Sequence, residues 1–160
     1  MNYDLLLSDY KRQIIKGMKY LDHSYQKIQK LLLSSNSSNS SNTPTSPIEI
    51  SNLDFDHLEI LEAFISRFAR VTDIFLSKYV RTYIKKNDPA FHGSLLDSLN
   101  MAAKLNLISE VNRWMNIREL RNSAAHEYTE ESLGKYYQSV IEETPFIFQE
   151  LKRIFQDEIK

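Results

Sequence analysis

The sequence predicts an all-α fold, an antiparallel bundle of four main helices with one extra short helix. Three observations predict it. Apolar residues recur at spacings of three and four through four long segments. Residues able to cap a helix stand at the start of most of them. The chain has 160 residues, 42% hydrophobic and 26% charged, which suits a single domain with a sizeable core, and antiparallel packing is the natural way to bury such helix faces.

Tyr3 to Leu33 is the first helix, with Leu6, Tyr10, Ile14, Met18, Leu21, Tyr25, Ile28 and Leu32 at helical spacing and Asp4 in the first turn. At about 30 residues it is far longer than the usual ~12. Gly17 is a weak point, about 1 kcal/mol poorer than alanine in a helix. Ser34 to Ser46 is built from serine, asparagine, threonine and proline, with no apolar group to bury. It reads as a flexible insertion at 34–46 within a single domain spanning 1–160, and Pro44 and Pro47 keep it out of a helix.

Leu53 to Lys86 is the second long helix, with Asp54 or Asp56 as its cap and Leu58, Leu61, Phe64, Ile65, Phe68, Phe75 and Tyr79 on its apolar face. At about 100° per residue, Arg67, Arg70, Lys78, Arg81 and Lys85 fall inside one arc of about 80°. Such a stripe is either a solvated face, a guide for an RNA backbone, or a partner for acidic residues on a neighbouring helix. Asn87 to Gly93 makes a turn, and Ser94 with Asp97 forms a capping box for a short helix, Leu95 to Leu105.

Ser109 is expected to cap a helix from Glu110 to about Ala124, in which Trp114, Arg118 and Arg121 occupy neighbouring positions of one face. Trp114 is expected in the core rather than as a platform for bases. Thr129, followed by Glu130 and Glu131, caps the last helix, whose apolar pattern runs from Leu133 to Phe155. Pro145 lies well inside it and predicts a kink or break near Ile141.

The chemistry concentrates in Arg121-Asn122-Ser123-Ala124-Ala125-His126-Glu127-Tyr128. Arginine brings a permanent charge and a fork of donors suited to phosphate oxygens. Histidine can take and return a proton near neutral pH. Tyrosine adds a hydroxyl and a ring. On one continuous helix Arg121 and His126 would point about 140° apart. They share a site only if the helix ends between them or if two chains contribute.

Arg-x4-His-x-Tyr resembles the motif of the HEPN superfamily, and within it the HepT-type toxins that pair with a minimal nucleotidyltransferase antitoxin. Asn122 fits the polar residue that usually follows the arginine. The stretch from Glu62 through Arg67 and Arg70 to Asp73 is similar to the family's long second helix. The resemblance runs from Tyr3 to the C-terminus, interrupted by the insertion. It implies the HEPN bundle and a two-fold homodimer in which the motifs of both chains meet in a cleft, which would answer the offset between Arg121 and His126. It also implies a metal-independent endoribonuclease without a cofactor. His126 would be the general base or acid and Arg121 would stabilise the phosphorane-like transition state, with Asn122 orienting one of them or holding a phosphate oxygen. Such a reaction needs the 2′-hydroxyl of RNA. Tyr128 matches the position to which the nucleotidyltransferase transfers AMP, adding an anion that would repel RNA phosphates. Arg67, Arg70, Lys78, Arg81 and Arg118 are the expected RNA-backbone contacts. The other function class is a non-catalytic binding subunit, or substrate-recognition partner, of a nucleotidyltransferase.

Several alternatives are excluded or find no support. A net charge of −1 argues against a surface that binds nucleic acid throughout, while leaving room for a local basic site. With no cysteine there is no disulfide or thiolate chemistry. His23, His57, His92 and His126 lack zinc spacing, and the three glycines form no phosphate loop. No apolar run reaches the ~20 residues of a membrane span and the N-terminus has no signal-peptide pattern, so a cytoplasmic location is expected.

Overall fold

Helical spacing of apolar residues becomes long rods in the computed structural model, which describes residues 2–36, 48–123 and 129–156. The first helix, α1 (Tyr3–Asn36), buries Ile14, Met18, Leu21 and Ile28. It extends past Leu33, so residues 34–36 belong to the helix although their composition suggests insertion; the rest of the insertion lies outside the described residues. After a single 3-10 turn (Ile50–Asn52), α2 (Phe55–Asp73) opens on Asp54, whose carboxylate accepts from the His57 N–H at 2.9 Å. The rod continues without a break through a π-helical stretch (Ile74–Val80) into α3 (Arg81–Asn87). The short helix α4 (Leu95–Lys104) starts in the expected Ser94–Asp97 capping box, and α5 (Val111–Ser123) follows. The last helix, α6 (Glu130–Ile154), starts at Thr129, whose hydroxyl accepts from the Ser132 N–H. Among the described residues there is no strand, and no helix is long and apolar enough to cross a membrane.

The helices pack in antiparallel pairs. Along the α1–α2 seam the partners run in opposite order: Tyr25 on Phe64, Ser24 on Arg67, Gly17 on Val71, Tyr10 under Lys78, and Asp4 with Lys86. Gly17 makes room for Val71, since a Cβ there would fall 2.8 Å from Val71 Cγ2. The pair α5–α6 is antiparallel too, with the Ser109 N–H on Glu150 and Arg113 on Glu143 at 2.7 Å. Between the pairs lie Phe75, Trp114 and Phe146, with ring centroids 4.8 and 5.4 Å from the tryptophan.

Gly134 lets the segment before α2 lie on α6, because a Cβ there would meet the Ile48 carbonyl oxygen at 2.1 Å. A backbone atom cannot swing aside as a side-chain end can. Gly134→Ala should therefore cost about 1–3 kcal/mol despite alanine's better helix propensity. Chemical denaturation checks this, and an unchanged midpoint would show that Ile48 yields without cost.

The break expected near Ile141 is absent, and α5 does not start on Ser109 as expected. Pro145 does not break α6, which runs unbroken from Glu130 to Ile154. Pro145 itself is exposed, while Val140, Ile141, Phe146 and Ile147 on both sides of it are packed in the core, and this packing outweighs the lost hydrogen bond to Ile141. The Thr144 hydroxyl also donates to the Val140 carbonyl at 2.7 Å, beside the gap. α5 begins at Val111, one residue later than expected. Its first carbonyl acceptor is Glu110, bonded by the N–H groups of Arg113 and Trp114, while the Ser109 N–H is drawn to α6. Glu110 sits at φ 45°, in the left-handed region that non-glycine residues seldom enter.

Glu150 fixes the turn that launches α5. It is 5% exposed, accepts from the Ser109 N–H at 2.9 Å, and is gripped by Arg153, which also donates to the Leu107 carbonyl. Burial pushes its carboxyl up, but the hydrogen bonds from Arg153 and the Ser109 N–H outweigh burial and hold it below the usual carboxylate range. A lowered folded-state value means this stabilisation is present above the ordinary carboxylate pKa of about 4.3 and is lost as pH falls through the lower folded value. Glu150→Gln should therefore flatten the acid limb of stability against pH, measured by urea unfolding between about pH 2 and 6. An unchanged acid limb would show that Glu150 is not the group responsible.

Candidate functional site

The arginine of the motif sits where α5 crosses the end of α2. Arg121 Nη2 donates to Asp73 Oδ1 at 2.6 Å, and its Nη1 donates to Asn122 Oδ1 at 2.8 Å. Asp73 Oδ1 also accepts from the Ser77 hydroxyl at 3.1 Å. The Arg121 and Asp73 side chains are 38% and 32% exposed, so solvent screens the pair and its contribution to stability is small. Its consequence is geometric, since two of the guanidinium's nitrogens are held and the fork has one orientation. With Asn122 Oδ1 accepting from Arg121, the Asn122 amide N–H groups remain as donors.

A cleft of about 110 Å³ opens beside this pair, lined by Asp73, Ser77, Arg81, Arg118, Arg121 and Asn122 among others. The π-helical stretch explains how the rod from α2 to α3 supplies three of these, Asp73, Ser77 and Arg81. From Phe68 onward, Phe68, Thr72, Leu76, Val80 and Ile84 are all buried at steps of four. On an ideal α-helix each step of four turns the face by about 40°. The wider turn of a π segment absorbs that drift and keeps the row on the core. Thr72, one residue before Asp73, bonds its hydroxyl back to the Phe68 carbonyl at 2.9 Å, a contact that loosens helices at the point where this one widens.

The expected basic stripe does not form one exposed face. The 100° rule that groups Arg67, Arg70, Lys78, Arg81 and Lys85 holds for a uniform α-helix, and residues 74–80 are π-helical. Arg67 is turned into the α1–α2 seam, donating to the Tyr20 carbonyl at 3.3 Å and to the buried Ser24 hydroxyl. Lys78 lies over the Tyr10 ring on α1. Arg70 is exposed on α2. Arg81, by contrast, reaches the cleft with Arg118 and Arg121. Trp114 is fully buried, as expected for a core residue, and Arg118 pairs with its exposed neighbour Glu119 at 3.0 Å. His126 and Tyr128 lie outside the described residues.

Asp73 and Ser77 were not anticipated as site residues. The available signal was the run of four-residue steps from Phe68 to Ile84, which departs from 3.6 periodicity and places Asp73, Ser77 and Arg81 in one row. Among the described residues, no group of three or more histidines and carboxylates could hold a metal ion. No family model, curated protein or solved structure matches the chain.

Proposed function

We propose that this chain is the ribonuclease toxin of a toxin–antitoxin pair of the HEPN and minimal-nucleotidyltransferase type. The observation that carries the reading is the Arg121 fork, oriented by Asp73 and Asn122 at the edge of a small cleft with two further arginines. In this reaction a ribose 2′-oxygen attacks the adjacent phosphorus, the bond to the 5′-oxygen breaks, and a 2′,3′-cyclic phosphate and a 5′-hydroxyl result. His126 takes the 2′-hydroxyl proton or supplies the proton to the leaving oxygen. Arg121 stabilises the charge that builds on the phosphoryl oxygens. Tyr128 is the AMP acceptor through which a nucleotidyltransferase antitoxin neutralises the toxin in the cytoplasm. The active unit is a HEPN-type homodimer whose two motifs face one another.

The test is a cleavage assay on purified protein freed of AMP, in EDTA, with RNA and the matching DNA, alongside light scattering. Cleavage of RNA alone, by a dimer, is the expected result. A monomer with full activity would remove the two-chain site. RNA left intact under every condition tried would overturn the ribonuclease reading and leave the non-catalytic partner of a nucleotidyltransferase in its place.

A further inference from the structure

The cleft beside Arg121 has more positive charge than the Asp73 pair can neutralise. Arg81 is exposed, lines the cleft, and has no hydrogen bond or ion pair among the described residues. Among the described residues, Arg118 pairs only with the solvent-facing Glu119. Asp73 is the sole carboxylate among the described lining residues, and it is engaged with Arg121 and Ser77. A site with three guanidinium groups and one occupied carboxylate suits an oxyanion. The cleft, about 110 Å³, has room for a tetrahedral oxyanion among these side chains.

Arg81 is there because of the π-helical stretch. Eight residues of ideal α-helix would turn it about 80° away from Asp73. The wider turns from Ile74 to Val80 bring Asp73, Ser77 and Arg81 onto the same wall, facing Arg118 and Arg121 on α5. We infer that this cleft is a phosphate subsite in which Arg81 and Arg118 bind the backbone phosphate presented to Arg121; that the phosphate belongs to RNA rests on the ribonuclease reading. Arg81 holds the phosphate equally before and during reaction, so it sets affinity, whereas Arg121 acts on the transition state.

The test uses the full chain and a fluorescent 2′-O-methyl RNA oligomer, which has no free 2′-hydroxyl and cannot be cleaved by this route. Binding is followed by anisotropy between about 50 and 200 mM salt for Arg81→Gln, Arg118→Gln and a control, Lys19→Gln, exposed on α1 away from the cleft. Arg81→Gln should bind roughly tenfold more weakly at low salt, and its slope of log Kd against log salt should shrink by about 0.7. The control should match the parent. With cleavable RNA, Arg81→Gln should raise KM and leave kcat within a few-fold. If both arginine variants keep the parent's affinity and slope, the subsite is wrong even where RNA is cleaved. If the parent cleaves nothing but Arg81→Gln still loses affinity for the oligomer, the ribonuclease reading fails and the subsite stands. Inorganic phosphate and AMP serve as competitors. Displacement at the same phosphate concentration as unlabelled RNA would mark a site for free phosphate monoesters and overturn the backbone assignment.

Discussion

Cleavage of RNA by the His126→Ala protein should fall about 10²–10⁴-fold, because proton transfer is lost while the binding surface remains. Arg121→Ala should fall by a comparable factor through loss of charge stabilisation in the transition state. Arg121→Lys separates charge from geometry. Lysine keeps the cation but cannot bridge Asp73 and Asn122 as the fork does, so it should restore RNA binding better than turnover. Asp73→Ala tests the positioning directly. It leaves Arg121 charged but unguided, and misplacement of this kind should lower kcat by roughly 10- to 100-fold with little change in KM. Asp73→Asn keeps an acceptor and should recover part of the loss. A purely structural role for Asp73 would lower thermal stability in both variants and leave kcat of the folded fraction unchanged. Tyr128→Phe should cleave normally and resist neutralisation by the nucleotidyltransferase in cells. If His126→Ala cleaves and restrains growth as the parent does, the catalytic assignment is lost.

Much of the fold was legible because helix signals are local. The caps at Asp54, Ser94 and Thr129 depend on a side chain reaching an N–H a few residues on, and all three form as the sequence suggests. What sequence reasoning missed depends on distant partners. The Ser109 N–H goes to Glu150, forty-one positions away, and the first carbonyl that α5 bonds to is that of Glu110. Pro145 costs a hydrogen bond that only the packing of α6 on the core could outweigh. The candidate site divides in the same way. Arg121 and Asn122 stand out as a pair in sequence, whereas Asp73 becomes their partner only when α5 crosses α2. The arc drawn for the basic stripe assumes one helical pitch, whereas the buried row from Phe68 to Ile84 follows another across residues 74–80.

Trp114→Ala should cost about 3–5 kcal/mol, the largest stability loss expected from a single change in this chain. The side chain is 0% exposed and wedged between Phe75 and Phe146, where the π-helical stretch, α5 and α6 meet. Trp114→Phe should cost distinctly less, about 1–2 kcal/mol. It loses part of the ring, but it also removes the indole Nε1, a buried donor with no hydrogen-bond partner among the described residues. An unpaired buried N–H costs about 1–3 kcal/mol, and that relief offsets much of the cavity. Trp114 is the only tryptophan, so its emission reports the native core directly and should be blue-shifted and insensitive to iodide. The two variants also settle whether this ring stacks on RNA. Arg121 is seven residues on, within about 20° of the same direction, yet it is 38% exposed, so α5 leaves the core between them. A ring buried below that rim cannot reach a base. At temperatures where the phenylalanine variant is fully folded, its RNA affinity should equal the parent's. Iodide quenching of the native emission, or an alanine variant within 1 kcal/mol of the parent, would show that Trp114 does not sit in the core as described.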